Sequence, residues 1–217
     1  MSEKIYKWQF NNNLMKKFDF NGLKIHVPDT VYEPSEDSFL LANAASHLSA
    51  GSKVLEVGCG SGIASLTAAK SGCSVTGVDI SKDAVGCATS NAKLNKLKNT
   101  LFFVSDLFEN LDKKQKFDAI LFNPPYLPTQ YKDKLNGPLN HAFDGGKDGR
   151  KVLDVFLDKF SPYLKKGGCL LLLQSDLNGP IKTKRKLRKL GYEVEVVEKE
   201  SFFFETVYVY RAIKFSL

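Results

Sequence analysis

The chain has 217 residues, a formal net charge of +7, 43% hydrophobic residues and 12% aromatic residues. This composition supports a single domain with a substantial core and excludes a disordered protein. Its apolar runs are much shorter than the roughly 20 residues that a membrane-spanning helix needs, and the first residues lack the apolar segment of a signal peptide. Four cysteines lie far apart without a C-x-x-C pair. We therefore expect a soluble, cytoplasmic protein without a metal site, disulfide framework or membrane partner.

The first 30 residues are less regular than the rest, and we interpret them as an N-terminal extension ahead of one domain at 31–217. Within this extension the segment LKIHV has the composition of a strand. An extended segment around Tyr6 to Phe10 is its expected partner.

Short β-rich runs alternate with helical runs from about residue 35 onward. Strands are predicted at 53–57, 74–79, 100–104, 117–122 and 168–174, and helices at 35–48, 62–71, 82–95, 150–163 and 180–190. Two strands near 192–199 and 205–214 close the chain, and the alternation in TVYVYRAIK is typical of an antiparallel strand. The alternation of strands and helices indicates an α/β fold with a mostly parallel sheet.

A glycine-rich loop follows the first of these strands, with the sequence Glu56-Val57-Gly58-Cys59-Gly60-Ser61-Gly62. Glycines let the backbone turn tightly and approach a ligand closely. The spacing is G-x-G-x-G rather than the G-x-G-x-x-G of dinucleotide-binding proteins, and Glu56 lies two residues ahead of the first glycine. A carboxylate there would repel a pyrophosphate but would attract a ligand with an ammonium and a sulfonium, as in S-adenosylmethionine.

Acidic residues follow the next two predicted strands. Asp79 ends the second strand, where a carboxylate can accept from both hydroxyls of a ribose, and Ser81 is the expected N-cap of the following helix. Asp106 follows the third strand, where it or the Leu107 backbone would meet an adenine edge. Each acid alone is equally well a helix cap or a loop residue, but three acids at successive strand ends beside one glycine loop favour a ligand site.

The fourth strand leads into Phe122-Asn123-Pro124-Pro125-Tyr126-Leu127-Pro128. Two prolines end strand pairing and hold the chain in a set direction. An isolated N-P-P is compatible with a simple strand terminator or with a functional site. The long segment 123–149 favours a site, because ligands bind outside the carboxyl ends of strands in open α/β sheets.

Basic residues concentrate at 182–189, in the sequence KTKRKLRK. Such a run could attract RNA or a ribosomal partner through its field. Lysine-rich helix faces are more often simply solvated, so nucleic acid is a possible partner that this run does not favour.

Five motifs together resemble a known family: VYEPSEDSFLL (31–41), LEVGCGSG (55–62), GVDIS (77–81), FNPPY (122–126) and GGKDGR (145–150). In this order they resemble the HemK/PrmC family of S-adenosylmethionine-dependent protein-glutamine N5-methyltransferases. The chain has no room for the helical domain of bacterial members, so it looks like the archaeal and eukaryotic branch. That resemblance implies a class I methyltransferase sheet of seven strands in the order 3-2-1-4-5-7-6, with strand 7 antiparallel.

The resemblance implies S-adenosylmethionine as cofactor and S-adenosylhomocysteine as product. Glu56 and Gly58 would hold the amino-acid part, and Asp79 the ribose. Tyr32 and Ser38 would close over the methionine moiety. The full set of implied cofactor residues is Tyr32, Ser38, Glu56, Gly58, Gly60, Asp79, Asp106, Leu107 and Asn123.

The resemblance also implies a methyl acceptor, the glutamine of the GGQ motif in the class I peptide chain release factor. Asn123 and the Pro124 carbonyl would accept the two N–H groups of the glutamine amide, and Tyr126 would stack on it. The implied catalytic residues are Asn123, Pro124 and Tyr126, with Pro125 added for substrate binding. GGKDGR would support the substrate channel.

Three other functions remain open from the residues alone. An adenine-N6 methyltransferase acting on DNA or RNA uses N-P-P-Y on a similar planar amine, although base flipping demands a recognition element that 217 residues hardly accommodate. A protein-lysine methyltransferase needs a group that deprotonates the ammonium. A non-catalytic cofactor-binding subunit has no need of the acceptor pocket.

Strand 100–104 should lie at an edge of the sheet, and an apolar edge strand requires a cover. The resemblance implies one: a small zinc-binding activator protein that adds a strand there as a heterodimer partner. Phe102 and Phe103 are the predicted contact residues, unless they pack into the core and under a helix.

Overall fold

The computed structural model describes residues 15–129 and 143–214. Within these ranges two strands form a hairpin, β1 (Met15–Phe20) and β2 (Leu23–Pro28). Seven more form one sheet: β3 (Lys53–Val57), β4 (Ser74–Asp79), β5 (Thr100–Val104), β6 (Phe117–Phe122), β7 (Leu164–Ser175), β8 (Tyr192–Ser201) and β9 (Thr206–Lys214). The helices are α1 (Glu36–Ser46), α2 (Ile63–Lys70), α3 (Lys82–Leu94), α4 (Lys151–Lys159) and α5 (Pro180–Lys189).

The sheet has the strand order β5-β4-β3-β6-β7-β9-β8. Neighbours from β5 to β7 pair in parallel, whereas β9 is antiparallel to both β7 and β8. Counted from β3, this is the predicted order 3-2-1-4-5-7-6 with the seventh strand antiparallel, so the class I methyltransferase fold is confirmed. Because β3 to β7 run in one direction, their carboxyl ends meet at one edge, where open α/β sheets bind ligands.

Alternating side chains of the central strands enter two separate cores. Ala119 and Leu121 of β6 belong to a core that includes the hairpin and residues of α1, α2 and α3. Ile120 and Phe122 belong to the opposite core, formed with α4 and α5. The sheet is therefore covered on both faces, as the continuous apolar run of β6 requires.

The hairpin pairs LKIHV with a different segment from the one expected. Its partner is β1, in the register Met15 to Pro28, while Tyr6 to Phe10 lie outside the described residues. Ile25 and Val27 are almost fully buried in the first core. The boundary at residue 30 stays a prediction, although the apolar face of this hairpin is part of the domain core.

Two predicted elements differ from the observed bounds by four residues at one end, whereas the other elements from residue 35 onward differ by at most two. The helix expected at 150–163 ends at Lys159, and Ser161–Tyr163 forms a short 3₁₀ turn around Pro162, which cannot donate a helical hydrogen bond. The following strand begins at Leu164 rather than 168, because Leu164 already pairs with Phe117 before a register shift. No helix in the described part of the chain is long and apolar enough to cross a membrane.

Asn91 of α3 joins the hairpin to the glycine loop. Its side-chain oxygen accepts from the His26 N–H at 2.9 Å, and its Nδ2 donates to the carbonyls of His26 and Ser61 at 3.0 Å each. The side chain is 1% exposed. Asn91 therefore pairs with the backbone N–H and carbonyl of His26 in β2 and at the same time holds the backbone of the loop at Ser61.

We expect Asn91→Leu to lower the free energy of unfolding by about 2–4 kcal/mol, because it leaves buried backbone groups of two segments without partners. Urea denaturation followed by circular dichroism measures this change. Lys93→Ala, an exposed position of the same helix, is the control and should stay within about 0.5 kcal/mol of the wild type. Equal stabilities of the two variants would contradict the role assigned to Asn91.

Candidate active site

One pocket at the carboxyl edge of the parallel strands brings together all the residues that the sequence predicted for the site. They come from the segment before α1 and the first turn of that helix, from the ends of β3 and β4, from the loops after β3, β4 and β5, and from the N-P-P-Y segment after β6. Its lining includes Tyr32, Ser38, Glu56, Gly58, Gly60, Asp79, Asp106, Leu107, Asn123, Pro124, Pro125 and Tyr126. The pocket also contains Asp37, for which the sequence predicted no role.

The glycine loop turns between β3 and α2 with its backbone in the left-handed region. Gly60 has φ +51° and Gly62 has φ +83°, values that side chains other than glycine rarely adopt. A Cβ on Gly62 would lie 3.0 Å from the Cβ of Ala88. Glycine is therefore required both for the turn and for the close packing of this loop on α3.

Glu56 is a buried carboxylate below the loop. Its Oε2 accepts from the Ser65 N–H at 2.8 Å, and among the described residues no lysine or arginine forms an ion pair with it. Burial raises the pKa of Glu56 to about 8. Such a carboxyl group is suited to a cationic ligand, which would stabilise its charged form. The buried carboxyl group of Glu56 therefore fits the ammonium of S-adenosylmethionine.

Asp79 and Ser81 organise the loop after β4. The Asp79 carboxylate accepts from the N–H groups of Gly60 and Ser81, both at 2.9 Å, so it ties this loop to the glycine loop. The Ser81 side chain accepts from the Ala84 N–H at 3.3 Å, and the predicted N-cap of α3 is confirmed.

Asp106 and Leu107 line the pocket beyond the end of β5. The strand ends at Val104, so exposed Asp106 lies in the turn rather than on the strand. Leu107 has φ +47°, a strained conformation for a side-chain-bearing residue, and its carbonyl accepts from Ser105 Oγ at 3.1 Å. Strain of this kind clusters at ligand sites, where the surrounding structure maintains it.

Asn123 has one bonded and one unbonded end. Its Nδ2 donates to Oδ2 of Asp37 at 3.0 Å, whereas its Oδ1 is buried and accepts no hydrogen bond within the described ranges. A carboxylate can only accept, so the NH₂ end of the amide must face Asp37. The unpartnered oxygen of Asn123 thereby becomes an acceptor oriented by its neighbour.

Asp37 lies in the first turn of α1 and is 6% exposed. Its Oδ1 accepts from the Ser35 hydroxyl at 2.7 Å, the Ser38 N–H at 2.6 Å and the Ser38 hydroxyl at 3.0 Å. These bonds fix the carboxylate from its own segment, and Asn123 takes the other oxygen. The signal for Asp37 was present in Y-x-P-S-E-D, but its partner lies 86 residues further along the chain.

Two tyrosines flank this pair. Burial, and secondarily the charge of Asp37, raises the pKa of Tyr32 and of Tyr126. Both phenols therefore stay protonated at neutral pH. The Tyr32 ring also packs edge-on against Phe143, with ring centroids 5.1 Å apart.

GGKDGR packs directly under the N-P-P-Y backbone. A Cβ on Gly149 would lie 2.2 Å from the Tyr126 carbonyl oxygen, and a Cβ on Gly145 would lie 2.9 Å from the carbonyl oxygens of Pro125 and Leu127. The Gly145 N–H donates to the Leu127 carbonyl at 3.1 Å. The two motifs thus form one unit, in which glycine permits a contact that no side chain would allow.

Arg150, the last residue of that motif, anchors the unit to α5. Its guanidinium donates to the Asn178 carbonyl at 2.6 Å and the Thr183 hydroxyl at 2.8 Å, and pairs with Asp154 at 2.7 Å. The side chain is 3% exposed, so its charge is buried, and the ion pair with Asp154 and the hydrogen bonds compensate for the loss of water. We attribute a structural role to Arg150.

The basic run at 182–189 forms α5. Lys182 pairs with Asp154 at 3.1 Å and Lys186 with Asp158 at 2.8 Å, both on α4. Thr183 is buried on the face toward the core. Part of the positive charge is therefore neutralised within the molecule, in agreement with a solvated helix face.

The edge position of β5 is confirmed by the sheet order. Phe102 and Phe103 are only half-buried and pack against opposite cores of the sheet. Leu101, by contrast, is 57% exposed. Any strand added at this edge would therefore cover Leu101 more than the two phenylalanines.

Comparison with known proteins gives the same family. The methyltransferase domain family matches residues 48–204. A Methanocaldococcus jannaschii protein, provisionally named as a protein N5-glutamine methyltransferase, is 47% identical over 195 residues, which cover 89% of this chain and 97% of that protein. Human methyltransferase HEMK2 is 31% identical over 176 residues, 75% of this chain and 80% of its own length.

A solved structure also matches. The E. cuniculi Mtq2–Trm112 complex, responsible for methylation of the eRF1 translation termination factor, aligns with a TM-score of 0.65 and 26% identity over 86% of this chain and 99% of that one. Sequence and fold therefore agree with the resemblance found in the motifs. The chain belongs to the HemK family of S-adenosylmethionine-dependent protein N5-glutamine methyltransferases.

Proposed function

We propose that this enzyme methylates the side-chain nitrogen of the glutamine in the GGQ motif of the class I peptide chain release factor. S-adenosylmethionine supplies an electrophilic methyl group on a sulfonium and leaves as S-adenosylhomocysteine. The observation that carries the proposal is the buried side-chain oxygen of Asn123, which accepts no hydrogen bond from the described residues and whose direction Asp37 sets. A neutral hydrogen-bond acceptor in this position can bind the NH₂ group of a glutamine side chain.

A glutamine amide offers two N–H donors in one plane. The Asn123 Oδ1 and the main-chain carbonyl of Pro124 can each accept one of them. Both acceptors favour the positive charge that grows on the nitrogen as it bonds to carbon. Gly145 and Gly149 let their segment lie against the carbonyl oxygens of Pro125 and Tyr126, which follow Pro124 in the chain.

The amide nitrogen is a poor nucleophile because its lone pair is delocalised into the carbonyl. Holding it in line with the methyl carbon, at roughly 3 Å, contributes most of the rate through orientation. Tyr126, neutral at working pH, would stack on the amide plane. The N–C bond would form as the S–C bond of the cofactor breaks, and the proton of the nitrogen would pass to water afterwards.

The pocket is less suited to the alternative acceptors. A lysine ammonium must lose a proton first, and the carboxylate bonded to Asn123 already accepts from Ser35 and Ser38. Nucleic acid would need a basic surface, but α5 shares part of its charge with α4. Both observations favour a glutamine.

We further propose that a small zinc-binding activator protein adds its own strand to β5. The E. cuniculi homologue forms a complex with Trm112, and Leu101 offers an exposed apolar side chain at the β5 edge of the sheet in this chain. Because translation termination takes place in the cytoplasm, we place the enzyme there. Its four cysteines are free and buried, as suits a reducing compartment.

We expect Asn123→Ala to reduce kcat on a release factor by a factor of about 10² or more, because it removes an acceptor that acts in the transition state. Affinity for the cofactor, measured by calorimetry, should fall much less. Incorporation of labelled methyl into the factor measures the first quantity, and a factor in which GGQ is changed to GGA is the negative control. Near-normal turnover by the variant would contradict the assignment of Asn123.

Cofactor binding should release a proton at pH 7. The Glu56 carboxyl, with a pKa of about 8, is mostly protonated in the free enzyme, whereas a bound ammonium lowers its pKa and favours the charged form. Affinity should therefore rise with pH from 6 towards 8. Calorimetry in buffers of different ionisation enthalpy measures the proton directly.

Glu56→Gln should abolish this proton release and weaken binding, whereas Glu193→Gln, at an exposed position of β8, should leave both unchanged. A binding enthalpy that does not depend on the buffer in the wild type would contradict the role of Glu56.

Leu101→Lys should prevent co-purification of the activator, since it places a charge on the proposed contact strand. Pull-down after co-expression measures this loss. Val196→Lys is the matched control, because Val196 is 42% exposed on β8 at the opposite edge of the sheet. Retention of the activator by the Leu101 variant would place the interface elsewhere.

A further inference from the structure

The turn between β8 and β9 exposes a cluster of aromatic side chains, which we call the aromatic turn (Phe202–Phe204). Phe203 is 92% exposed and Phe204 is 86% exposed, and their rings meet edge to face with centroids 4.7 Å apart. Phe202 is 36% exposed. Exposed aromatic clusters of this kind mark interaction sites in soluble proteins.

Hydrogen bonds hold the aromatic turn in place. The Phe202 N–H donates to the Glu205 carbonyl at 2.7 Å, and the hydroxyls of Ser201 and Thr206 lie 3.2 Å apart across the base of the turn. The hairpin register continues up to the pair Ser201 and Thr206. The phenylalanines therefore project from a defined turn.

The aromatic turn is attached to the rim of the active site. The Glu205 carboxylate accepts from the Ser175 hydroxyl at 2.6 Å, and the Thr206 N–H donates to the Asp176 carboxylate at 3.1 Å, at the carboxyl end of β7. This strand is the parallel neighbour of β6, which leads into Asn123. The charge of Glu205 also contributes, after burial and the charge of Asp37, to the raised pKa of Tyr126.

We propose that the aromatic turn is a docking surface for the protein substrate, and that it inserts into an apolar recess beside the loop that carries the acceptor glutamine. This inference rests on the proposed function. A glutamine that reaches Asn123 must come from a polypeptide crossing this rim, so the substrate is the occupant that the position favours.

The position also separates this surface from the activator edge. The activator strand would lie at β5, whereas β8 is the opposite edge of the seven-stranded sheet. Six strand spacings of about 4.8 Å separate the two edges by about 29 Å.

The test compares full-length release factor with a short synthetic peptide that contains the GGQ motif. For the full-length factor, the variant Phe203→Ser/Phe204→Ser should raise KM by about tenfold with little change in kcat, because aromatic anchors carry a large share of interface energy while the acceptor pocket is untouched. For the peptide, which lacks the recess, KM should not change.

Control variants keep the result specific. Phe203→Leu/Phe204→Leu should restore most of the affinity for the factor, and Val155→Ser, an exposed apolar position on α4, should leave KM unchanged. Cofactor affinity, measured by calorimetry, reports folding of each variant independently of the substrate.

Several results would overturn the proposal. They are an unchanged KM on the full-length factor, an equal loss on factor and peptide, and a wild-type dimer that becomes monomeric in the serine variant by light scattering. Failure of the wild type to methylate the factor at all would refute the proposed function, and the docking proposal with it. If the wild type methylates the factor and the serine variant has the same KM, the docking proposal alone would be refuted.

Discussion

The hydrogen bond from the Asn123 amide to the Asp37 carboxylate joins residues 86 positions apart. It decides which end of the amide enters the pocket, because a carboxylate cannot donate. The carboxylate is itself held by Ser35 and Ser38, so the orientation of Asn123 derives from the first turn of α1. The half of the pocket that would accept hydrogen bonds from the substrate amide is thus held in place by the first turn of α1, which is distant from Asn123 in the chain.

Charge is distributed unevenly over the two halves of the pocket. The half formed by the glycine loop contains the carboxylates of Glu56 and Asp79, which suit a cation and a ribose. In the half after β6, Ser35, Ser38 and Asn123 donate to the Asp37 carboxylate. The acceptors that this half offers to a substrate are neutral, Asn123 and the Pro124 carbonyl, beside a tyrosine that stays protonated. The division matches a reaction in which a cationic donor meets a neutral amide.

The support for this pocket comes from parts of the chain that take no part in the chemistry. The glycines of GGKDGR allow its backbone to lie against N-P-P-Y, and Arg150 fastens that unit to α5. On the other side of the sheet, Asn91 fastens the hairpin to the glycine loop. Displacement of either support would move both halves of the pocket relative to each other.

Much of the fold followed from the sequence, since strand-helix alternation and the five motifs predicted the sheet order and placed every proposed ligand residue at one edge. Local chemistry was sufficient there: a glycine loop, an N-cap and a proline pair each act within a few residues. The sequence did not identify Met15–Phe20 as a partner of LKIHV, because a short strand specifies that it pairs but not with which neighbour. The bound at Lys159 was missed although the signal was local, because the predicted helix ran through Pro162 and helices usually end at or before the residue that precedes a proline.

What the sequence by itself determined is therefore the chemistry available: the acids, the glycines and the amide that stand at strand ends. Only the tertiary structure decided which of them meet. Asp37 pairs with Asn123 and Gly149 touches Tyr126 because α1 and the segment before α4 pack against the N-P-P-Y segment after β6. The aromatic turn reaches the rim of the pocket because strands β6, β7 and β9 are neighbours in the sheet. Contacts between distant segments depend on the packing of the whole sheet, and no local pattern of residues specifies which distant segments meet.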